Sequence, residues 1–192
     1  MDLEDRLFLE LYMKNKDEAF LYLIEKYAAQ IFNTCMNIVR HFEDAEDVTQ
    51  EVFTTVYISL ENFNGTSKLS TWIYGIALNK SKEFLRKKTR QKRSGYMIQW
   101  DNDISHSLTK ATIEFNHPGV LLENKERTKL LFNAIDQLSM NQKIAYTLHN
   151  IDGISYNEVA EIMGLSIASV ESLIFRAKRK LKQLLADYYD NK

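Results

Sequence analysis

Two kinds of charged cluster stand out by type and spacing. Between His41 and Glu51 lie five carboxylates, Glu43, Asp44, Glu46, Asp47 and Glu51, with no lysine or arginine among them. On a helix, Asp44, Asp47, Gln50, Glu51 and Thr54 lie opposite the apolar stripe Ala45, Val48, Val52, Val56, Leu60. Carboxylates on one face could hold a metal or meet a basic partner. A plain soluble helix whose N-terminal acids favour the helix dipole is the simpler reading, and spacing alone does not exclude it. A carboxylate-bridged metal bundle also wants Glu-x-x-His pairs, and this sequence has none. The four histidines are scattered, the single cysteine Cys35 sits in an apolar helical stretch, and zinc-type spacings are missing. There is no nucleophile elbow, Walker loop or GxGxxG. Metal, nucleophile and phosphate-transfer chemistry thus have no motif, and recognition is what the charges offer.

The other clusters are basic. Lys80 to Arg93 holds eight cations against the single Glu83. Most of them lie within LSTWIYGIALNKSKEFLRKK, where Leu69, Trp72, Ile73, Ile76, Ala77 and Phe84 share one face. Trp72 on that face is either core or a platform for a base. Cations beside aromatic rings, next to the polar loop Asn62–Lys68, suit single-stranded nucleic acid. Lys80 lies near the apolar face and is expected to snorkel at its edge. Between Glu171 and Lys182 stand five cations against Glu171 alone. There the stretch ISYNEVAEIMGLSIASVESLIFRAKRKLKQLL reads as helix, turn, helix. Ser155 can cap the first helix, Gly164 takes a positive φ at little cost, and Ser166 caps the second. Val159, Ala160 and Met163 face inward from the first helix, and Val170, Leu173, Ile174, Ala177 and Leu181 from the second. Opposite them are Ala168, Ser172, Phe175, Arg176 and Arg179. An arginine can pair bidentately with guanine, and a helix so placed enters a major groove. Two packed helices with a solvated basic face remain the bland reading.

The elements that must position these clusters are helices. Hydrophobic residues make up 45% and charged residues 27% of 192, with a net charge of −1, an ordinary globular balance. Pro118 is the only proline and strand alternation is nearly absent, so the fold class is all-α. Apolar residues recur at helical spacing over Asp17–Val39 and Ala45–Leu60. The turn-forming Asn62–Lys68 precedes the helix Leu69–Lys88. From Thr89 to Asn116 no period holds, and His117-Pro118-Gly119 ends the stretch. Helical pattern resumes near Val120 and runs to about Tyr189, broken at Leu138-Ser139, Asp152-Gly153 and Gly164. The expectation is two helical domains, 1–90 and 119–192, joined by a flexible linker over 91–118. No apolar run is long enough to cross a bilayer, and MDLEDRLFLELY lacks the basic start of a signal peptide. A cytoplasmic protein is therefore expected, in keeping with one unpaired cysteine.

Taken together, these segments resemble the sigma-70 family, specifically its small extracytoplasmic-function (ECF) group. DAEDVTQEVF at Asp44–Phe53 looks like that family's core-polymerase-binding helix, and STWIYGIALNKSKEFLRKK at Ser70–Lys88 like its −10 recognition helix. Leu138–Leu181 looks like its −35-binding domain. The resemblance implies a region 2 bundle and a region 4 helix-turn-helix that direct RNA polymerase to promoters. Asp44, Asp47, Gln50 and Glu51 would dock on the β′ clamp helices, with the β subunit a further contact. The loop Phe63, Asn64, Gly65, Thr66, Ser67, Lys68 would capture a flipped −10 base, with Asn79, Lys80 and Arg86 holding adjacent DNA. Ser169, Ser172, Phe175, Arg176 and Arg179 would contact the −35 duplex. The linker would pass through the polymerase cleft. The resemblance implies no cofactor, no metal and no chemistry by this chain, a monomer when free, and an anti-sigma factor as a possible regulator. Gly75, Leu78, Glu83, Glu171 and Leu173 depart from the residues usual in the family, so the promoter sequence does not carry over.

Two alternatives belong to other classes. A free-standing helix-turn-helix regulator would bind a palindrome as a dimer, with half-sites about 34 Å apart. It needs a dimer helix, and no long heptad seam is present. A helical enzyme using Asp44, Asp47 and Glu51 would need stoichiometric metal.

Overall fold

The computed structural model describes residues 3–63, 65–93 and 130–189, which form helices and short connectors with no strand among them. The chain divides into two compact units.

In the first unit, α1 (Leu3–Lys14) packs on α2 (Lys16–Val39), and α2 packs in turn on α3 (Phe42–Ser59) and α4 (Leu69–Arg93). Asn15 starts α2: its side-chain oxygen accepts the N–H groups of Asp17 and Glu18 at 3.1 and 3.2 Å. Arg40 ends it in the left-handed conformation at φ 65°, donating its N–H to the Met36 carbonyl. Ala19, Leu23, Tyr27, Ile31, Cys35 and Ile38 are buried along one side. They meet Ala45, Val48, Val52 and Val56 of α3 and Leu69, Ile73, Ala77 and Leu78 of α4, which are buried on the matching faces. Cys35 is a free, buried thiol and packs as a small hydrophobe. Tyr57 of α3 donates its hydroxyl to Asp17 at 3.0 Å, and that bond holds the phenol above its usual pKa.

Helix α4 runs on to Arg93, past the Lys88 at which its apolar periodicity stops. The Thr89 hydroxyl bonds back to the Leu85 carbonyl at 2.8 Å. The proposed linker over 91–118 otherwise falls outside the described residues, as does Asn64.

The second unit opens with a helical stretch over residues 130–136. It continues with α5 (Met140–Tyr146), a π-type turn over Thr147–Ile151, α6 (Tyr156–Met163) and α7 (Ile167–Tyr189). In the π-type turn the Asp152 N–H reaches the Thr147 carbonyl at 2.9 Å. Helices α5 and α6 both pack on α7. Ala134, Ile135, Leu138, Ala177 and Leu181 form one buried cluster, flanked by Leu131, Phe132, Tyr146, Leu184 and Leu185. Lys143 is buried, and its ammonium is 2.6 Å from the Asp136 carboxylate.

Candidate nucleic-acid interface

The helix-turn-helix is built by local hydrogen bonds. Ser155 and Glu158 form a reciprocal capping box at the start of α6, with Glu158 N–H to Ser155 Oγ at 3.3 Å and Ser155 N–H to Glu158 Oε2 at 3.1 Å. Gly164 then adopts φ 65°, and the Leu165 N–H reaches back to the Ala160 carbonyl at 2.9 Å, which closes the helix and turns the chain sharply. Ser166 starts α7 by accepting the Ser169 N–H at 3.2 Å.

Helix α7 separates its faces cleanly. Val170, Ile174, Ala177 and Leu181 are buried at helical spacing, while Ala168, Ser169, Ser172, Phe175, Arg176 and Arg179 are exposed. Phe175 is 67% exposed, a large apolar ring facing water. Arg176 lies along the helix, its Nε donating to the Ser172 carbonyl at 3.1 Å. The Ser169 hydroxyl is 2.8 Å from that of Ser166, so this residue serves the cap as well as the exposed face. Lys180 donates to the Gln137 carbonyl, which ties α7 to the end of stretch 130–136, while Lys178 and Lys182 are exposed.

In the first unit, the loop between α3 and α4 follows the 3-10 turn Leu60–Asn62. Phe63 is buried and its ring packs 5.2 Å from that of Trp72, so these two rings form the floor of the loop. Gly65 takes φ 70°, and Thr66 and Lys68 are exposed. Asn79 and Arg86 are exposed along α4, and Lys80 is half-buried, as its snorkelling position requires. Burial, with the Arg86 guanidinium nearby, pushes the Lys82 ammonium below the usual lysine range. Glu83 is held below the usual carboxylate range by its bond to Lys87, one turn away at 3.1 Å. Leu78 is buried in the core, whereas a Cβ on Gly75 would meet nothing within 4 Å. Sterically, then, Gly75 could be a larger residue, and Leu78 could not be a charged one without cost.

The acidic face of α3 is less uniform than its sequence suggests. Asp47, Gln50 and Glu51 are exposed and Asp44 is half-buried, and both Asp44 and Glu51 reach cations of α4. Asp44 meets the Lys88 ammonium at 2.5 Å and His41 at 3.6 Å, and Glu51 meets Lys80 at 3.7 Å. The pairs with Lys88 and Lys80 span antiparallel helices, and no sequence spacing announces them, whereas His41 and Asp44 are three residues apart at the start of α3. Among the described residues, no group of three or more His, Cys, Asp or Glu could hold a metal. A second residue that spacing missed is Asp5, whose buried carboxylate accepts the Leu69 N–H at 3.3 Å, at the head of α4. An acid on the same helical stripe as Phe8 was its only signal.

Comparisons with known proteins agree with this layout. Residues 23–91 match the family described as Sigma-70 region 2, and residues 128–181 match Sigma-70, region 4. The chain is 32% identical over 93% of its length to the ECF RNA polymerase sigma-E factor of Escherichia coli K12, and covers 93% of that protein. To the ECF RNA polymerase sigma-E factor of Haemophilus influenzae it is 29% identical, covering 94% of each chain. Two solved structures share the fold. CnrH, in complex with the cytosolic domain of CnrY, matches with a TM-score of 0.69 at 21% identity, over 95% of this chain and 97% of that one. The sigma factor RpoE of Bartonella quintana, in complex with the anti-sigma factor NepR, matches at 0.67 and 22%, over 87% and 96%.

Proposed function

The chain belongs to the ECF group of the sigma-70 family, and from that premise we propose how its surfaces divide the work of starting transcription. As a sigma factor it binds core RNA polymerase and directs it to promoters. The polymerase performs nucleotide transfer, so this chain acts by binding alone, in the cytoplasm where the polymerase works. Among the described residues no helix is long and apolar enough to cross a membrane.

One observation carries the division: the exposed row Ser172, Phe175, Arg176 and Arg179, backed on α7 by a fully buried stripe. A rigid helix with two arginines and a ring on its outer side is equipped to read base edges in the −35 major groove. Ser169 would join this row at the start of the helix. In the first unit, Thr66 and Lys68, with Gly65 and Ser67 between and beside them and Asn64 at the loop's head, would receive an unstacked −10 base above the Phe63–Trp72 floor. Asn79, Lys80 and Arg86 would hold the strand beyond. Asp44, Asp47, Gln50 and Glu51 would dock on the β′ clamp helices. The segment between the units would thread the polymerase cleft. The Bartonella relative is bound by an anti-sigma factor. An inhibitor of that kind is proposed here too, because both DNA-facing surfaces carry exposed cations that a protein could cover.

The purified chain, mixed with core RNA polymerase and fragmented genomic DNA, should form a stable complex that starts RNA at a shared −35/−10 pattern. A chain that forms no such complex, but elutes as a dimer and shifts duplex DNA alone, would be a free-standing helix-turn-helix regulator. Arg176→Ala is expected to weaken promoter-directed transcription by roughly 1–3 kcal/mol and to relax preference at one −35 position. An unchanged −35 preference would remove Arg176 from the contact row.

A further inference from the structure

We propose that Asp5 is a positioning residue for promoter reading: its carboxylate, supplied from α1, caps α4 and thereby fixes residues 65–68 of the loop that reads the −10 element. This rests on the proposed role of that loop.

The first turn of any helix exposes N–H groups that need acceptors. Lys68 occupies the capping place of α4, since its carbonyl accepts the Trp72 N–H at 3.0 Å. A lysine side chain offers donors only, so it cannot serve the turn that follows it. Helices α2, α6 and α7 take their caps from Asn15, Ser155 and Ser166, each the residue just ahead of the helix. Helix α4 instead receives one from another helix: Asp5 Oδ1 accepts the Leu69 N–H across 64 residues of sequence. A carboxylate there also meets the positive end of the α4 dipole, and burial keeps that attraction from being screened by salt.

Asp5 is itself held in place. It shares a helical face with Phe8, whose buried ring lies 6.4 Å from that of Tyr22 on α2. The loop therefore has two fixed ends. Phe63 is held against Trp72 at one, and Leu69, buried and bonded to Asp5, lies just past the other. Between them Thr66 and Lys68 are presented to solvent. A loop pinned in this way loses less freedom when it captures a base, so more of the contact energy discriminates between sequences. Asp5 precedes residues 23–91, the part that matches region 2.

The test uses the full chain with core polymerase, on the promoter found as above and on the same promoter with its −10 element replaced. Asp5→Ala should lower the ratio of transcripts from the two templates by roughly tenfold, the scale of a lost cap and its charge. Polymerase affinity should stay within about twofold, because Asp47 and Gln50 lie on α3. Asp5→Asn keeps a carbonyl acceptor and should retain most of the ratio. A wild-type ratio in Asp5→Ala would overturn the proposal. So would equal losses in the Ala and Asn variants accompanied by lost polymerase affinity, which would mark a general stabiliser. If Asp5→Ala does not fold, amide exchange at Leu69 in Asp5→Asn and Asp5→Ser decides. Protection and −10 preference should fall together in Ser and persist in Asn; preference unchanged where protection falls would overturn the proposal. The loop variant Thr66→Ala/Ser67→Ala separates the two levels. If it leaves the ratio intact, the reading of the loop fails and this inference with it. If it lowers the ratio while Asp5→Ala does not, the positioning role alone is wrong.

Discussion

Asp47→Lys combined with Glu51→Lys is expected to reduce affinity for core RNA polymerase by roughly a hundredfold while leaving helicity intact. The exposed face of α3 would change from anionic to mixed, and a basic partner surface would then meet like charge, which costs several kcal/mol. At 1.4 kcal/mol per factor of ten, about 3 kcal/mol gives that loss. The two positions are not equivalent. Asp47 is exposed, so its reversal reports on the partner alone. Glu51 also pairs with Lys80 at 3.7 Å, so its reversal sets two ammonium groups side by side within the protein. That pair is partly exposed and contributes little by itself. A titration of labelled chain against core polymerase, with Asp47→Lys measured separately, resolves the shares. Retained affinity in the double variant would return the acidic face to a solvated helix surface.

Asp136→Ala should destabilise the second unit by about 3 kcal/mol, a large part of what holds so small a domain together. Lys143 is buried and its ammonium lies 2.6 Å from the Asp136 carboxylate. Removing the acid leaves a charge in the interior with no counter-ion, which costs more than the pair contributes when intact. Asp136 ends the stretch 130–136 and Lys143 belongs to α5, so the pair clamps the corner on which α7 rests. Thermal unfolding of the isolated variant chain should show an early transition, with −35 preference lost as that transition begins. The double change Asp136→Leu with Lys143→Met removes both charges and should recover most of the stability. If Asp136→Ala melts like the parent, the pair is too well hydrated to act as a clamp.

The features that could be read from the amino-acid order are those whose causes are local. The caps at Ser155 and Ser166 and the turn at Gly164 depend on residues within four positions, and they stand in the structure where the pattern puts them. The buried stripe of α7 follows from the 3.6-residue repeat, and its exposed row follows as the complement. The resemblance to the sigma-70 family rested on such contiguous segments, and the family matches cover the same stretches. The contacts of the first unit had no local cause. Asp44 with Lys88, Glu51 with Lys80, and Asp5 with the Leu69 N–H join residues 44, 29 and 64 positions apart. Each depends on the antiparallel register of two helices, and burial of large side chains such as Leu23, Ile31, Ile73 and Leu78 sets that register. Periodicity says which face of a helix is apolar, but it does not say how far one helix slides along the next. For that reason the sequence alone determined the fold class, the family and the helix-turn-helix. Only the tertiary structure decided which acids of α3 are engaged with α4, and that an aspartate of α1 accepts the first N–H of α4.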